Sequence, residues 1–182
     1  VERPLQLIVQ GDTSNPITRL SNHSLLTAPG AMTTDGATLY IGNGNSILAM
    51  PLEGGEVRTI HANVSACCVV GLAFAGGIVF WIDPYGEAVA KAIFRGSAAG
   101  GGVTKIHSGF ASGQPIVDGS DLTTDGTFLY SVDYVGGKVH RLNMDGSGIT
   151  QLGPVRYSGG FTTSHQNTIA QQERNRASDE QV

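Results

Sequence analysis

The sequence predicts an all-β fold made of repeated four-stranded antiparallel units, the blades of a β-propeller, and three observations lead there. First, Thr123 to Leu152, TTDGTFLYSVDYVGGKVHRLNMDGSGITQL, recurs upstream as Thr33 to Ile60 and, with longer loops, as Ala73 to Ile106. Second, each copy breaks into short apolar runs at turn chemistry: Asp35-Gly36, Gly76-Gly77 and Asp125-Gly126, then Glu53-Gly54-Gly55, Arg95-Gly96-Ser97 and Asp145-Gly146-Ser147. Third, the copies align on Tyr40, Phe80 and Tyr130, on Ile47, Val89 and Val139, and on Gly54, Gly96 and Gly146. Their length differences fall in Ala98 to Gly102, taken as a hairpin tip, and in the loop Ser108 to Gly119, as a structural repeat requires. Four strands, a to d, make one blade.

In chain order, residues 1–160 form the propeller. Leu5, Leu7 and Val9 alternate, Gly11 to Pro16 is turn chemistry and Ile17 to Leu20 is a strand, so 1–27 reads as strands c and d of a half blade. Leu20 then aligns with Ile60, Ile106 and Leu152 at the end of strand d. Three complete blades follow at 28–61, 69–107 and 119–152, with Met32, Leu72 and Leu122 as equivalent inner-strand residues through which blades pack. Gly160 to Ser164 reads as a fourth strand a with Phe161 aligned to Met32, so 161–182 holds a partial strand pair and a polar tail from Gln166.

At strand b the residues carry a family likeness. Phe80-Trp81-Ile82-Asp83 and Tyr130-Ser131-Val132-Asp133 resemble the YWTD signature of low-density-lipoprotein-receptor-type propellers, and Asn143-Met144-Asp145-Gly146-Ser147 resembles the turn that precedes strand d in that family. The resemblance implies a structural role for Asp83 and Asp133, a hydrogen bond that locks blades. The first repeat departs from it with Tyr40-Ile41-Gly42-Asn43, where Asn replaces the locking Asp.

Composition narrows the function. A length of 182 residues suits one domain, and 26 glycines, about twice the usual share, sit at hairpin positions. A net charge of -4 with 11 scattered Lys and Arg offers no basic face for nucleic acid. No apolar run approaches the roughly 20 residues of a membrane-spanning helix. The chain starts at Val1 with no charged-then-apolar leader, which reads as a mature secreted form or a fragment and places it outside the cell or in a periplasm.

The polar residues read mainly as structure. Asp35, Asp125 and Asp145 precede Gly in turns, where Asp bonds its own backbone. His61 and His107 follow strand d and are expected as solvated rim residues, too far apart to share a metal. His23, His140 and His165 have no partner at ligand spacing, and Trp81 reads as core. Cys67 and Cys68 read as two small apolar residues entering strand a, with pairing between chains as the alternative. Asn22-His23-Ser24 and Asn63-Val64-Ser65 match the N-glycosylation acceptor pattern.

No phosphate loop, nucleophile elbow or helix-borne metal motif occurs, so no cofactor is expected. At the axial inner-strand positions Ala31, Gly71 and Asp121 there is one carboxylate, short of the 6 to 8 oxygens a calcium ion takes. The expectation is a non-catalytic module that binds a protein or glycan, or assembles with itself. A calcium-dependent lactonase or lyase is the enzymatic alternative. The loop holding Phe110, Gln114, Pro115 and Ile116 is the candidate contact, or else a cover for a blade edge. Open blade edges at both ends call for pairing between chains, as a dimer or a filament, in preference to a self-closed ring.

Overall fold

The computed structural model of the protein describes residues 19–65, 67–83, 92–108, 119–133 and 137–154. Among the described residues twelve strands form three four-stranded sheets, each an antiparallel meander in chain order. The first sheet holds β1 (Pro29–Thr34), β2 (Thr38–Asn43), β3 (Ser46–Pro51) and β4 (Arg58–His61). The second holds β5 (Gly71–Ala75), β6 (Ile78–Asp83), β7 (Ala92–Ser97) and β8 (Val103–Ser108). The third holds β9 (Gly119–Thr124), β10 (Phe128–Asp133), β11 (Lys138–Asn143) and β12 (Thr150–Pro154). The inner strands β1, β5 and β9 are successive neighbours, so the sheets follow one another as blades. The proposed half blade and the segment from Phe161 lie almost wholly outside the described residues, as does the contact loop Phe110, Gln114, Pro115 and Ile116.

Register shows how closely the units repeat. Tyr40 pairs with Thr33, Phe80 with Ala73 and Tyr130 with Thr123. Strand c of the second blade, however, is not where the sequence alignment put it. Gly42 faces Ile47, Val132 faces Val139, and Ile82 faces Ile93, so Ile93 and not Val89 is the equivalent residue. Side chains alternate faces every second residue, and Val89 and Ile93 are an even step apart, so both registers hide the same face and the pattern cannot separate them. The extra residues of this blade therefore lie between Asp83 and Ala92, not at Ala98 to Gly102. Carried along strand c, the same shift makes Gly100, and not Gly96, the counterpart of Gly54 and Gly146.

Packing agrees. Each blade has a bulge in strand d opposite the start of strand c, between Ile47 and Leu48, Ile93 and Phe94, and Val139 and His140. The skipped residues are Ile60, Ile106 and Leu152. A bulge releases one residue from the ladder and re-aims it. The Ile60 carbonyl lies 3.2 Å from where a Cβ on Gly100 would stand, the Ile106 carbonyl crowds the same place on Gly146, and the Leu20 carbonyl lies 2.7 Å from it on Gly54. All three glycines have positive φ, 92°, 99° and 86° in chain order. The Leu20 carbonyl thus stands against Gly54 as those of Ile60 and Ile106 stand against Gly100 and Gly146, though residues 19 and 20 are not strand.

Between blades the core is apolar. Tyr40, Ile47, Ala49 and Ile60 of the first meet Leu72, Val79 and Trp81 of the second. Ala73, Phe80, Ile82 and Ile93 of the second meet Leu122, Leu129 and Leu142 of the third. Trp81 is fully buried, as its sequence context predicts, and stacks between His61 and Phe94 with ring centroids 5.4 and 5.8 Å away. His61 therefore departs from the solvated rim: it is 3% exposed and its Nε2 is 2.9 Å from the Ser97 carbonyl. The cause is the bulge. His61 pairs with Ile47, whose side chain faces the second blade, so consecutive residues Ile60 and His61 both enter the interface. Gly96 leaves the room, since a Cβ there would lie 2.6 Å from the imidazole. His107, opposite Ile93, is half-buried, and burial lowers its pKa below the usual histidine value.

Gly146 and Gly126 separate backbone strain from interblade crowding. Their φ values are 86° and 90°, but a methyl on Gly126 meets nothing within 4 Å. In urea unfolding, Gly126→Ala should lose about 1–2 kcal/mol and Gly146→Ala distinctly more; equal losses would remove the Ile106 contact as a determinant of packing.

Candidate functional site

In a four-stranded meander, the a–b and c–d turns lie at one end of the blade and the b–c turn lies at the other, beside the connection to the next blade. The two ends behave differently. At the first end the a–b turns are tight, with positive φ at Gly36, Gly76, Gly77 and Gly126. The c–d turns there are of nearly equal length, at 52–57, 98–102 and 144–149. At the other end the b–c tips lie between Asn43 and Ser46, Asp83 and Ala92, and Asp133 and Lys138, so they hold two, eight and four residues. The connections 62–70 and 109–118 leave from the same end. This face of unequal loops is the candidate site; Phe110, Gln114, Pro115 and Ile116 lie outside the described residues.

In the first and third blades the constant end is built by a repeated cage. Asp35 Oδ1 accepts from the N–H groups of Ala37 and Thr38, at 2.9 and 2.6 Å, while the Tyr40 hydroxyl donates to Oδ2 at 2.8 Å. Asp125 repeats this with Thr127 and Phe128, each at 2.7 Å, and with the Tyr130 hydroxyl at 2.7 Å. Thr34 and Thr124 close both cages, each donating to the carbonyl of Thr38 or Phe128 and accepting from Gly36 or Gly126. The backbone N–H groups of Thr38 and Ala37, then the Tyr40 hydroxyl, hold the Asp35 carboxyl below its ordinary value. At Asp125, desolvation pulls upward, and the donors Phe128, Tyr130 and Thr127 outweigh it. The Tyr40 ring also stacks on Phe74 of the next blade, centroids 5.3 Å apart. Burial, then the Asp35 carboxylate, raises the Tyr40 hydroxyl above its ordinary value.

The candidate face is tied down by the last residue of strand b. Asp83, buried, accepts at Oδ1 from the Ser65 hydroxyl at 2.8 Å, gripping the connection that leads into its own blade. Asn43 does the same in the first blade, where the sequence offers no Asp. Its Nδ2 donates to the Leu25 carbonyl at 2.9 Å, and its Oδ1 accepts from the Ala28 N–H at 2.9 Å. An amide suits this place because backbone supplies both a donor and an acceptor there. Asp133 holds the same register position, opposite Lys138.

On this face Asn22 and Asn63 are exposed, Asn63 with a positive φ of 53°. Cys67 and Cys68 precede β5 instead of entering it; Cys67 is exposed and Cys68 half-buried, while Val69 and Val70 after them turn into the apolar clusters. At the axis, Asp121 is half-buried, and its Oδ1 accepts from the adjacent Leu122 N–H at 2.8 Å. Among the described residues no three His, Cys, Asp or Glu converge as a metal site. None of the described residues forms a helix long and apolar enough to cross a membrane.

The side of the first blade away from the second shows a further departure. Ile41, Leu48, Met50 and Val57 cluster there with Leu26 and Leu39. Met32 pairs with Ile41 as Leu72 pairs with Trp81, yet Met32 is 60% exposed where Leu72 and Leu122 are 4% and 2%. The inner strands are thus equivalent, but among the described residues no blade packs over Met32.

These sheets and their succession define a β-propeller, and solved structures share the fold. A structure of a nidogen/laminin complex superposes with a TM-score of 0.54 and 22% identity, covering 65% of this chain and 45% of that one. A putative TolB from Agrobacterium tumefaciens gives 0.53 and 19%, covering 68% and 44%. A Thermus putative oxidoreductase (glucose dehydrogenase) gives 0.51 and 18%, covering 66% and 45%. The chain spans less than half the length of each. No protein-family model and no curated protein matches it.

The cages predict the acid limit of stability. The folded pKa of Asp125 is below its ordinary 3.8, so its carboxylate contributes fully above that value and is lost as pH falls through the folded one. Tyr130→Phe should cost about 1 kcal/mol at neutral pH and flatten this acid-side loss. Urea midpoints across a pH series test it, and an unchanged acid slope would refute the tie. Tyr40 acts at the other limit: with its folded pKa raised, stability should decline as pH rises past 10.0.

Proposed function

We propose that this chain is a non-catalytic propeller module, related to the YWTD type, that binds a protein or glycan through the face of unequal loops. The supporting observation is the confinement of large length changes to that end, while the opposite turns stay nearly equal in length. Recognition needs diversity on a rigid frame, and loops supply it at little cost to the core. Phe110 and Ile116 would contribute apolar contacts, with Gln114 and Pro115 between them. A secreted or periplasmic setting fits this reading, and in a eukaryotic secretory route Asn22 and Asn63 would accept glycans. A loss of mass on glycosidase treatment would bear that out.

We further propose self-association through the open blade edges. Met32 supports it, because an inner-strand apolar side chain that is buried in the next two blades is left uncovered by the described residues in the first. Light scattering on the full chain should show a dimer or larger assembly, and Met32→Asp should release an 18.9 kDa monomer. A wild-type monomer at every concentration would overturn self-association without touching the binding-face proposal.

The enzymatic alternative, a calcium-dependent lactonase or lyase, would draw on Asp121. Metal analysis of the purified chain, with a lactone and ester panel, separates the two. Bound calcium that is lost in Asp121→Ala, together with turnover, would replace the binding proposal.

A further inference from the structure

The connection from β4 to β5 holds adjacent thiols in unusual circumstances. The Sγ atoms of Cys67 and Cys68 lie 2.8 Å apart. Ser65 organises the turn that brings them together: its Oγ accepts from the N–H groups of both cysteines, at 3.3 and 3.1 Å, and donates to Asp83 at 2.8 Å. Asp83 is buried at the end of β6, so the turn is anchored to the core of the second blade. In an extended strand, neighbouring side chains point to opposite faces and their thiols would stand apart. Here 67–70 is not strand.

We propose that Cys67 and Cys68 form a redox-active vicinal dithiol that takes small-molecule disulfides as its oxidant and closes to a disulfide between adjacent residues. The Cys67 thiolate attacks one sulfur of the oxidant and expels one thiolate, leaving a mixed disulfide on Cys67. The Cys68 thiolate then attacks the Cys67 sulfur and expels the second. Two cysteine thiols lose two electrons and two protons, and the oxidant leaves as two thiols. Access sets the order, since Cys67 is exposed and Cys68 half-buried. The same order follows from the thiols' surroundings. Burial first, then the Cys67 thiol, pushes the Cys68 pKa up to about 11, so little of it is thiolate at neutral pH.

The product is a labile disulfide. Adjacent Cα atoms stand about 3.8 Å apart, inside the roughly 4.4 Å at which ordinary bridges begin. Strained and exposed disulfides belong to the reducible, regulatory kind.

The test uses the full chain with oxidised glutathione, quenched by alkylation and read by intact mass. The wild-type chain should pass through a glutathione adduct and end two hydrogens lighter, with neither cysteine alkylated and no increase in size on a non-reducing gel. Cys68→Ser should stop at a stable adduct on Cys67. The same chain in urea should close more slowly, because it lacks the Ser65 clamp. A lasting adduct on the wild type, disulfide-linked dimers, no reaction, or equal rates folded and unfolded would each overturn the proposal.

Discussion

A β-sheet that is apolar on both faces must be covered on both, and this requirement governs the whole structure. Each blade here is such a sheet. The second is sandwiched between its neighbours, with Leu72, Val79 and Trp81 on one side and Phe80, Ile82 and Ile93 on the other. One such blade alone would expose both of its apolar faces, so the unit of folding is the stack, as in other repeat architectures. Fine fitting is then a matter of backbone. The bulge in strand d turns a carbonyl toward the next blade, and a glycine at the facing turn allows the approach.

Much of this was legible in the sequence, because the copies act as an internal comparison. The Asp–Tyr cage could be read the same way. Asp35 with Tyr40 and Asp125 with Tyr130 sit five residues apart, and where the second copy has Ala75 in place of Asp it has Phe80 in place of Tyr. The carboxylate and the hydroxyl come and go together because each satisfies the other. What escaped reading has equally definite causes. The position of β7 was lost because Val89 and Ile93 preserve the same alternation. The burial of His61 was lost because a bulge breaks that alternation, and nothing in Arg58-Thr59-Ile60-His61 marks one.

The candidate site was legible only in part. Loop length flagged the segment around Phe110, but assigning all unequal loops to one end required the strand order and the corrected register. The Asn43 lock was also hidden, since a motif built on Asp treats Asn as a departure. In three dimensions the amide does the work of the carboxylate by pairing with a carbonyl and an N–H at once.

The contrast between the two ends of each blade also has a historical meaning. Copies of one ancestral unit start identical, and the changes that survive are those that leave neighbours undisturbed. Turns pressed against an adjacent carbonyl, as at Gly54, Gly100 and Gly146, admit almost none. The tips after Asn43, Asp83 and Asp133 have drifted to two, eight and four residues. One side of the molecule therefore preserves the ancestor, and the other keeps the record of what each copy has become.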